Sequence, residues 1–364
     1  MKIKGVILAA GGAKRMEPLS KMIKKPLVPI GKYPIILVII RTILKAKISE
    51  FIIVHGKEEE DDIKRAITLE SIRECSVHVD IDWSSVKIDF VLQEQPGGMA
   101  EAISLTKDYL TEPDGSITPF LLTSADIYFG EGVPILLIEQ FKQNGFHSIL
   151  SVVSTIDDKI AASHGNVLIQ DNKIVKIVEK PGKNKISDDY SMPIYIFTGD
   201  LFDYIDKVPV SARGERELQD AIQFMISDGK TVYPCKILDD NLYSDENIGK
   251  FHITYPSDVL KMNFHLLKGM EMDFNGEYPT AMGPLALYHP ILGDNTFIGP
   301  YAIVYKNATL EKFCEIQKTI IYENASVGAH CKLINCIVGP HAEVPPNQTY
   351  QNKIFIKNKG SSTT

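Results

Sequence analysis

Between residues 298 and 344 an apolar side chain returns at a nearly fixed interval. Ile298, Val304, Leu310 and Ile316 stand six apart, Ile321 follows after five, Val327 and Leu333 after six, Val338 after five and Val344 after six. The phrases "FIGPYA", "SVGAHC" and "IVGPHA" sit on that period. Short repeats of this kind, each with one apolar residue and some with a nearby Gly, fit a parallel β-helix. One residue in six points inward, and three-sided coils stack on one another. A small antiparallel sandwich is the alternative, and the persistence of the period favours the β-helix. His330 and His341 lie within the repeat. A lone His on a coil is far more often structural or surface than catalytic.

The chain ahead of the repeat has a different texture. Continuous apolar runs such as "KGVILAA" and "EFIIVHG" alternate with helix-like runs such as "PIILVIIRTILKAK" and "PILLIEQFKQNG". This alternation predicts a mostly parallel sheet covered on both faces, with ligands bound outside the carboxyl ends of its strands. "KEEEDDIKRAITLESIREC" reads as one charged amphipathic helix, and "HGNVLIQDNKIVKIVEKP" as two strands turning at Asp171-Asn172. "SDVLKMNFHLLK" reads as a helix with Ser257 as its N-cap. The expected organisation is one α/β domain over 1–268, a Gly-, Pro- and Met-rich linker over 269–286, the β-helix over 287–356 and a disordered tail over 357–364.

A net charge of -7 argues against non-specific nucleic-acid binding, which needs a basic face. Five Cys without CxxC spacing point to buried thiols rather than a disulfide framework or zinc site. The N-terminal apolar run is too short for a secretory signal, and "YPIILVIIRTIL" is interrupted by Arg41 and too short to span a membrane. The expectation is a soluble, cytoplasmic protein.

The first apolar run ends in "AAGGAKRMEPLSKMIKKPLVPI". Two glycines after a strand let backbone N–H groups approach an anion, though an ordinary tight turn has the same letters. Arg15 and Lys25 add cations, and Pro18, Pro26 and Pro29 stiffen the segment that carries them.

This stretch resembles the N-terminal motif of sugar-1-phosphate nucleotidyltransferases. The resemblance continues in "FVLQEQPGGMAEAI", "FLLTSADIYF", the hairpin ending in Glu-Lys-Pro, and the six-residue repeats, which are similar to the left-handed β-helix appended to many members. It implies a Rossmann-like domain with a mixed, mostly parallel sheet. It also implies joining of a nucleoside triphosphate to a sugar 1-phosphate, with Mg²⁺ as cofactor and pyrophosphate released. "QEQPGG" resembles the thymidylyl- and uridylyltransferases, so UTP or dTTP and glucose 1-phosphate are the favoured substrates.

By the resemblance, Ala10, Gly11 and Gly12 line the triphosphate loop, and Arg15 and Lys25 hold phosphates. Gln93 reads the pyrimidine edge beside Gly98. Asp126 binds Mg²⁺. Gly165 and Glu179 contact sugar hydroxyls, and Lys180 the sugar phosphate. Self-association through the β-helix is a further expectation. Four departures stand out: Ala13 replaces a Gly, Lys14 a Thr, His252 the second metal carboxylate and Lys250 the Trp of that motif. Asp220 or His252 is then the candidate second ligand, although His suits Mg²⁺ poorly. A catalytically weak homologue acting as a ligand-sensing or assembly subunit is the alternative reading.

Overall fold

The computed structural model describes residues 2–155, 157–237, 252–268 and 283–357. Lys250, residues 269–282 of the expected linker and residues 358–364 of the expected tail lie outside them. The chain divides into two compact units: residues 1–12 with 35–251, and residues 13–34 with 252–364. The segment after Gly12 and the helix at 256–268 therefore belong with the C-terminal repeat, whereas the sequence places both in the first domain.

The first unit is built on a nine-stranded sheet: β1 (Lys4–Leu8), β2 (Glu50–Gly56), β3 (Lys87–Gln93), β4 (Phe120–Ser124), β5 (Ser148–Ser154), β6 (Gly165–Gln170), β7 (Lys173–Glu179), β8 (Asp189–Phe197) and β9 (Val232–Lys236). Its order is β9-β5-β8-β4-β1-β2-β3, with the β6–β7 hairpin joined through β8. Strand β8 runs antiparallel to β4, β5 and β6; β1, β2, β3 and β4 are mutually parallel. The β8 register breaks between Ser191 and Tyr195, around Pro193, where a residue without an N–H is tolerated. The hairpin turns at Asp171 and Asn172, both in the left-handed region, as the two-residue signal predicts.

Helix α1 (Ile35–Lys45) buries nine of its eleven residues, all but Arg41 and Lys45. The charged run at 57–75 is two helices, Glu60–Ala66 and Leu69–Cys75, rather than one. Thr68 separates them: its hydroxyl accepts from the Ser71 N–H and the Ser71 hydroxyl accepts from the Thr68 N–H. That reciprocal cap satisfies orphan donors which a continuous helix would not have. One core cluster lies on a single face of the sheet, with Val6, Leu122, Tyr195, Phe197 and Ile222 all completely buried.

In the second unit, thirteen short strands form three parallel sheets. Val304, Ile321, Val338 and Phe355 lie in one register, each 17 residues after the last. The five-residue steps in the sequence are thus shortened sides of a 17-residue coil. Corners carry left-handed residues, among them Asn307, Asn324, His341, Asn335 and Asn352, which Asn tolerates better than most. His330 is one such corner and stacks on Phe313 at 4.8 Å. The first coil strand is Leu285–Leu287, slightly before the expected start. The arrangement is the left-handed β-helix that the repeat and the resemblance imply.

The helix before the repeat, Pro256–Lys268, begins at Pro256, so Ser257 lies inside it rather than capping it. Asp258 performs the capping instead, accepting the Thr254 and Tyr255 N–H groups at 3.0 and 2.7 Å. All five Cys are buried, and none forms a disulfide. Among the described residues no helix is long and apolar enough to cross a membrane.

Candidate active site

Parallel strands that end together present their last residues as a row. Leu8 is level with Val54 and Ser124, and Gly56 is level with Gln93. Past the ladder, the Ala9 N–H donates to the Val54 carbonyl at 2.6 Å and the Ala125 N–H to the Leu8 carbonyl at 2.8 Å. The row of carboxyl ends therefore reads Gln93, Gly56, Ala10, Asp126. With strands about 4.8 Å apart, Gln93 and Ala10 lie roughly 10 Å apart, two strands over.

The candidate glycines divide into two kinds. A Cβ on Gly11 or Gly12 would meet nothing within 4 Å, and neither has a positive φ. Packing and backbone conformation give no reason for glycine at either. Gly98 is the opposite case. It has φ +96°, and a Cβ there would stand 2.5 Å from the Arg216 carbonyl oxygen. At Gly165 a Cβ would meet the Ser191 hydroxyl at 2.7 Å and Gln219 at 3.0 Å. Packing alone accounts for those two.

Gln93 is only 5% exposed, and its Nε2 is buried without a hydrogen-bond partner. An unpaired buried amide is costly unless a ligand completes it. At the other end of the row, Asp126 follows β4 and accepts the Ser124 hydroxyl at 2.7 Å.

A second group forms where β7 ends. Glu179 pairs with Lys180 at 2.8 Å and with Arg213 at 3.4 Å, and Arg213 pairs with Glu217 at 2.6 Å. Lys180 has φ 44° and its N–H donates to the His164 carbonyl. Asp220 belongs with this group: burial, and then Glu217 and Glu179, push its carboxyl above the ordinary range against the pull of Arg213. The sequence reading overlooked the segment 213–217, which connects Gly97 and Gly98 to Glu179. Its Arg216 N–H donates to the Gly97 carbonyl, its Arg216 carbonyl accepts the Ala100 N–H, and its Arg213 reaches Glu179. The signal was the charge pattern Arg-Gly-Glu-Arg-Glu immediately ahead of helix α2 (Leu218–Ser227).

Arg15 and Lys25 lie in the second unit, on the segment that continues the chain from Gly12. Residues 14–32 carry six cations, Lys14, Arg15, Lys21, Lys24, Lys25 and Lys32, against the single carboxylate of Glu17. Met16, Leu19, Pro26, Val28 and Ile30 are buried, while Lys14, Arg15 and Lys21 are exposed. Ala13 sits at φ −99°, so its methyl imposes no backbone strain. His252 is half-buried ahead of the helix at 256–268. Among the described residues no group of three or more His, Cys, Asp or Glu side chains stands together as a metal cage.

Residues 4–251 match the family described as nucleotidyl transferase. The chain belongs to the nucleotidyl transferase family. Residues 300–350 also match the GlmU-like C-terminal hexapeptide family. Among curated proteins, this nucleotidyl transferase chain is 29% identical over 273 residues to the bifunctional protein GlmU of Methanocaldococcus jannaschii, covering 75% of this chain and 56% of that one. It thus spans little more than half the length of such GlmU relatives. It is 24% identical over 333 residues to the low-salt glycan biosynthesis nucleotidyltransferase Agl11 of Haloferax volcanii, covering 85% of each. Among solved structures, a putative glucose-1-phosphate thymidylyltransferase from Bacillus anthracis matches with TM-score 0.54 and 27% identity over 65% of this chain and 87% of that one. A UDP-glucose pyrophosphorylase complexed with UDP-glucose matches in fold, with TM-score 0.59 and 18% identity over 74% of this chain and all of that one.

Proposed function

We propose that the protein transfers a nucleotidyl group from a nucleoside triphosphate, UTP or dTTP, to a sugar 1-phosphate, with glucose 1-phosphate favoured. A sugar-phosphate oxygen attacks the α-phosphorus, the bond to the β-phosphate breaks, and pyrophosphate leaves. The observation that carries this reading is the buried, unpartnered amide of Gln93 in one row with Ala10 and Asp126, Ala10 leading into two glycines that packing does not require. An amide donor suits the edge oxygen of a pyrimidine. Gly11 and Gly12 would present backbone N–H groups to the triphosphate, and Arg15 and Lys25 would neutralise it. Glu179 would accept from sugar hydroxyls, and Lys180 would take the sugar phosphate.

Mg²⁺ fits the donor set. It binds through one or two carboxylates plus substrate phosphates and water rather than in an all-protein cage. Asp126 would hold it, with its carboxylate oriented by the Ser124 hydroxyl. The ion, when bound, supplies charge stabilisation for the leaving pyrophosphate. Asp220 stands among Glu179, Glu217 and Arg213, so its role in this reading is on the sugar side. The proposal includes a cytoplasmic location and self-association through the β-helix.

The test is pyrophosphate release by the purified chain over a panel of nucleoside triphosphates and sugar 1-phosphates with Mg²⁺. Turnover with UTP or dTTP is the expected result. Nucleotide binding without product from any pair would replace this reading with that of a ligand-sensing homologue.

A further inference from the structure

Tyr288, Tyr305 and Tyr322 recur every 17 residues along one line of the β-helix, with ring centroids 5.3 and 5.2 Å apart and the last two nearly parallel. The next position on that line is Gly339. A Cβ there would stand 2.8 Å from the Met22 sulfur and 3.1 Å from the Phe355 carbonyl oxygen. Met22 thus takes the place of a fourth rung, and the Lys357 N–H points at its sulfur at 3.4 Å. Two coils back, the Tyr305 hydroxyl donates to the Gly31 carbonyl at 2.5 Å. The Gly31 N–H donates to Asn263 Oδ1 at 2.7 Å, and Asn263 Nδ2 donates to the Pro29 carbonyl. Gly31 has φ +62°, a conformation that leaves its N–H and carbonyl to these two side chains.

We propose that this line of the β-helix positions the cationic segment 14–25, with Tyr305 and Met22 as the positioning residues. The inference rests on the proposed transferase reading for what the segment does, not for how it is held. Nine residues could stretch roughly 30 Å, yet two coils separate the attachment points by only about 10 Å. The intervening chain must therefore fold back, and it does so in the 3₁₀ turn Lys25–Leu27. Fixing Met22 and Gly31 fixes where that turn presents Lys25. Burial pushes the Tyr305 hydroxyl well above its ordinary pKa, so it remains a donor at any working pH. The β-helix in this chain is then part of how the cationic segment is held.

Tyr305→Phe keeps the ring stack and removes the donor. Hydrogen–deuterium exchange should rise by about fivefold over residues 14–31, the worth of one hydrogen bond, with residues 320–338 unchanged. The KM for UTP with Mg²⁺ should rise by a similar factor while kcat holds within about twofold. Met22→Ala should do the same. Gly339→Ala should loosen the segment in the wild-type background and add little once Met22 is already Ala. Unchanged exchange in both single variants, or faster exchange with unchanged KM, overturns the proposal. Wild-type protein that releases no pyrophosphate with any pair overturns the transferase reading instead, and the exchange comparison still reports whether the segment is anchored.

Discussion

Arg216 closes over Gly98. Its N–H bonds to the Gly97 carbonyl at 2.8 Å, and its own carbonyl oxygen occupies the space beside the Gly98 Cα where any other residue would carry a Cβ. The segment 213–217 can lie against the Gly97–Gly98 turn only because position 98 has no side chain. The same segment sends Arg213 to Glu179. The base-side and sugar-side candidates are therefore mechanically joined.

Gly98→Ala should break that joint. The backbone region at φ +96° is essentially restricted to glycine and costs other residues of order 1–3 kcal/mol, before the clash with Arg216 is counted. The melting temperature should fall by about 5 °C or more. The KM for both substrates should rise together. A rise confined to the nucleotide would show that the segment does not transmit the change to Glu179.

Gln93→Met should separate stability from function. In the protein without ligand, the Gln93 amide nitrogen is buried with nothing to bond. An unsatisfied group of this kind costs about 1–3 kcal/mol, so an apolar residue of similar shape should hold or raise the melting temperature. Nucleotide affinity, measured by calorimetry, should fall about tenfold or more as the base loses its donor. A fall in both quantities would mean that Gln93 is a structural residue.

Asp126→Asn should leave the fold alone, because an amide oxygen can still accept from the Ser124 hydroxyl. Turnover should drop by at least about a hundredfold, the scale of losing a charge-stabilising group. The Mg²⁺ concentration needed for half-maximal residual activity should also rise, because only the substrate phosphates remain as ligands. An unchanged Mg²⁺ requirement would place the metal elsewhere.

Much of this architecture was legible because it is local. The six- and five-residue spacing of Ile316, Ile321, Leu333 and Val338 encodes the coil directly, since each residue's direction depends on near neighbours. The β6–β7 hairpin was readable from Asp171-Asn172 for the same reason. What could not be read was contact between distant segments. Tyr305 and Gly31 are 274 residues apart, and nothing in either neighbourhood announces the bond. The grouping of residues 13–34 with the β-helix follows from such contacts. Arg213 and Glu179 are another case: each looks like surface charge until the chain brings them within 3.4 Å. The break at Thr68 was missed for a different reason. The helical pattern on both sides is continuous, and the interruption shows in the extended backbone of Thr68 and its side-chain cap with Ser71.

The same crowding of carboxylates sets a pH test at Asp220. Its carboxyl is raised above the ordinary 3.8, first by burial and then by Glu217 and Glu179. An acid whose pKa is raised on folding favours the folded state while protonated. That advantage is complete below the unfolded value and disappears as pH climbs through the folded value. Asp220→Asn fixes the neutral form. Urea midpoints for variant and wild type should therefore agree near pH 4 and separate in the variant's favour as pH rises to 7. The gain should grow when Arg213 is also replaced by Gln, because Asp220 then loses the cation that offsets its repulsion by Glu217 and Glu179. A variant less stable than wild type at pH 7 would mean that the attraction of Asp220 to Arg213 outweighs its repulsion by Glu217 and Glu179.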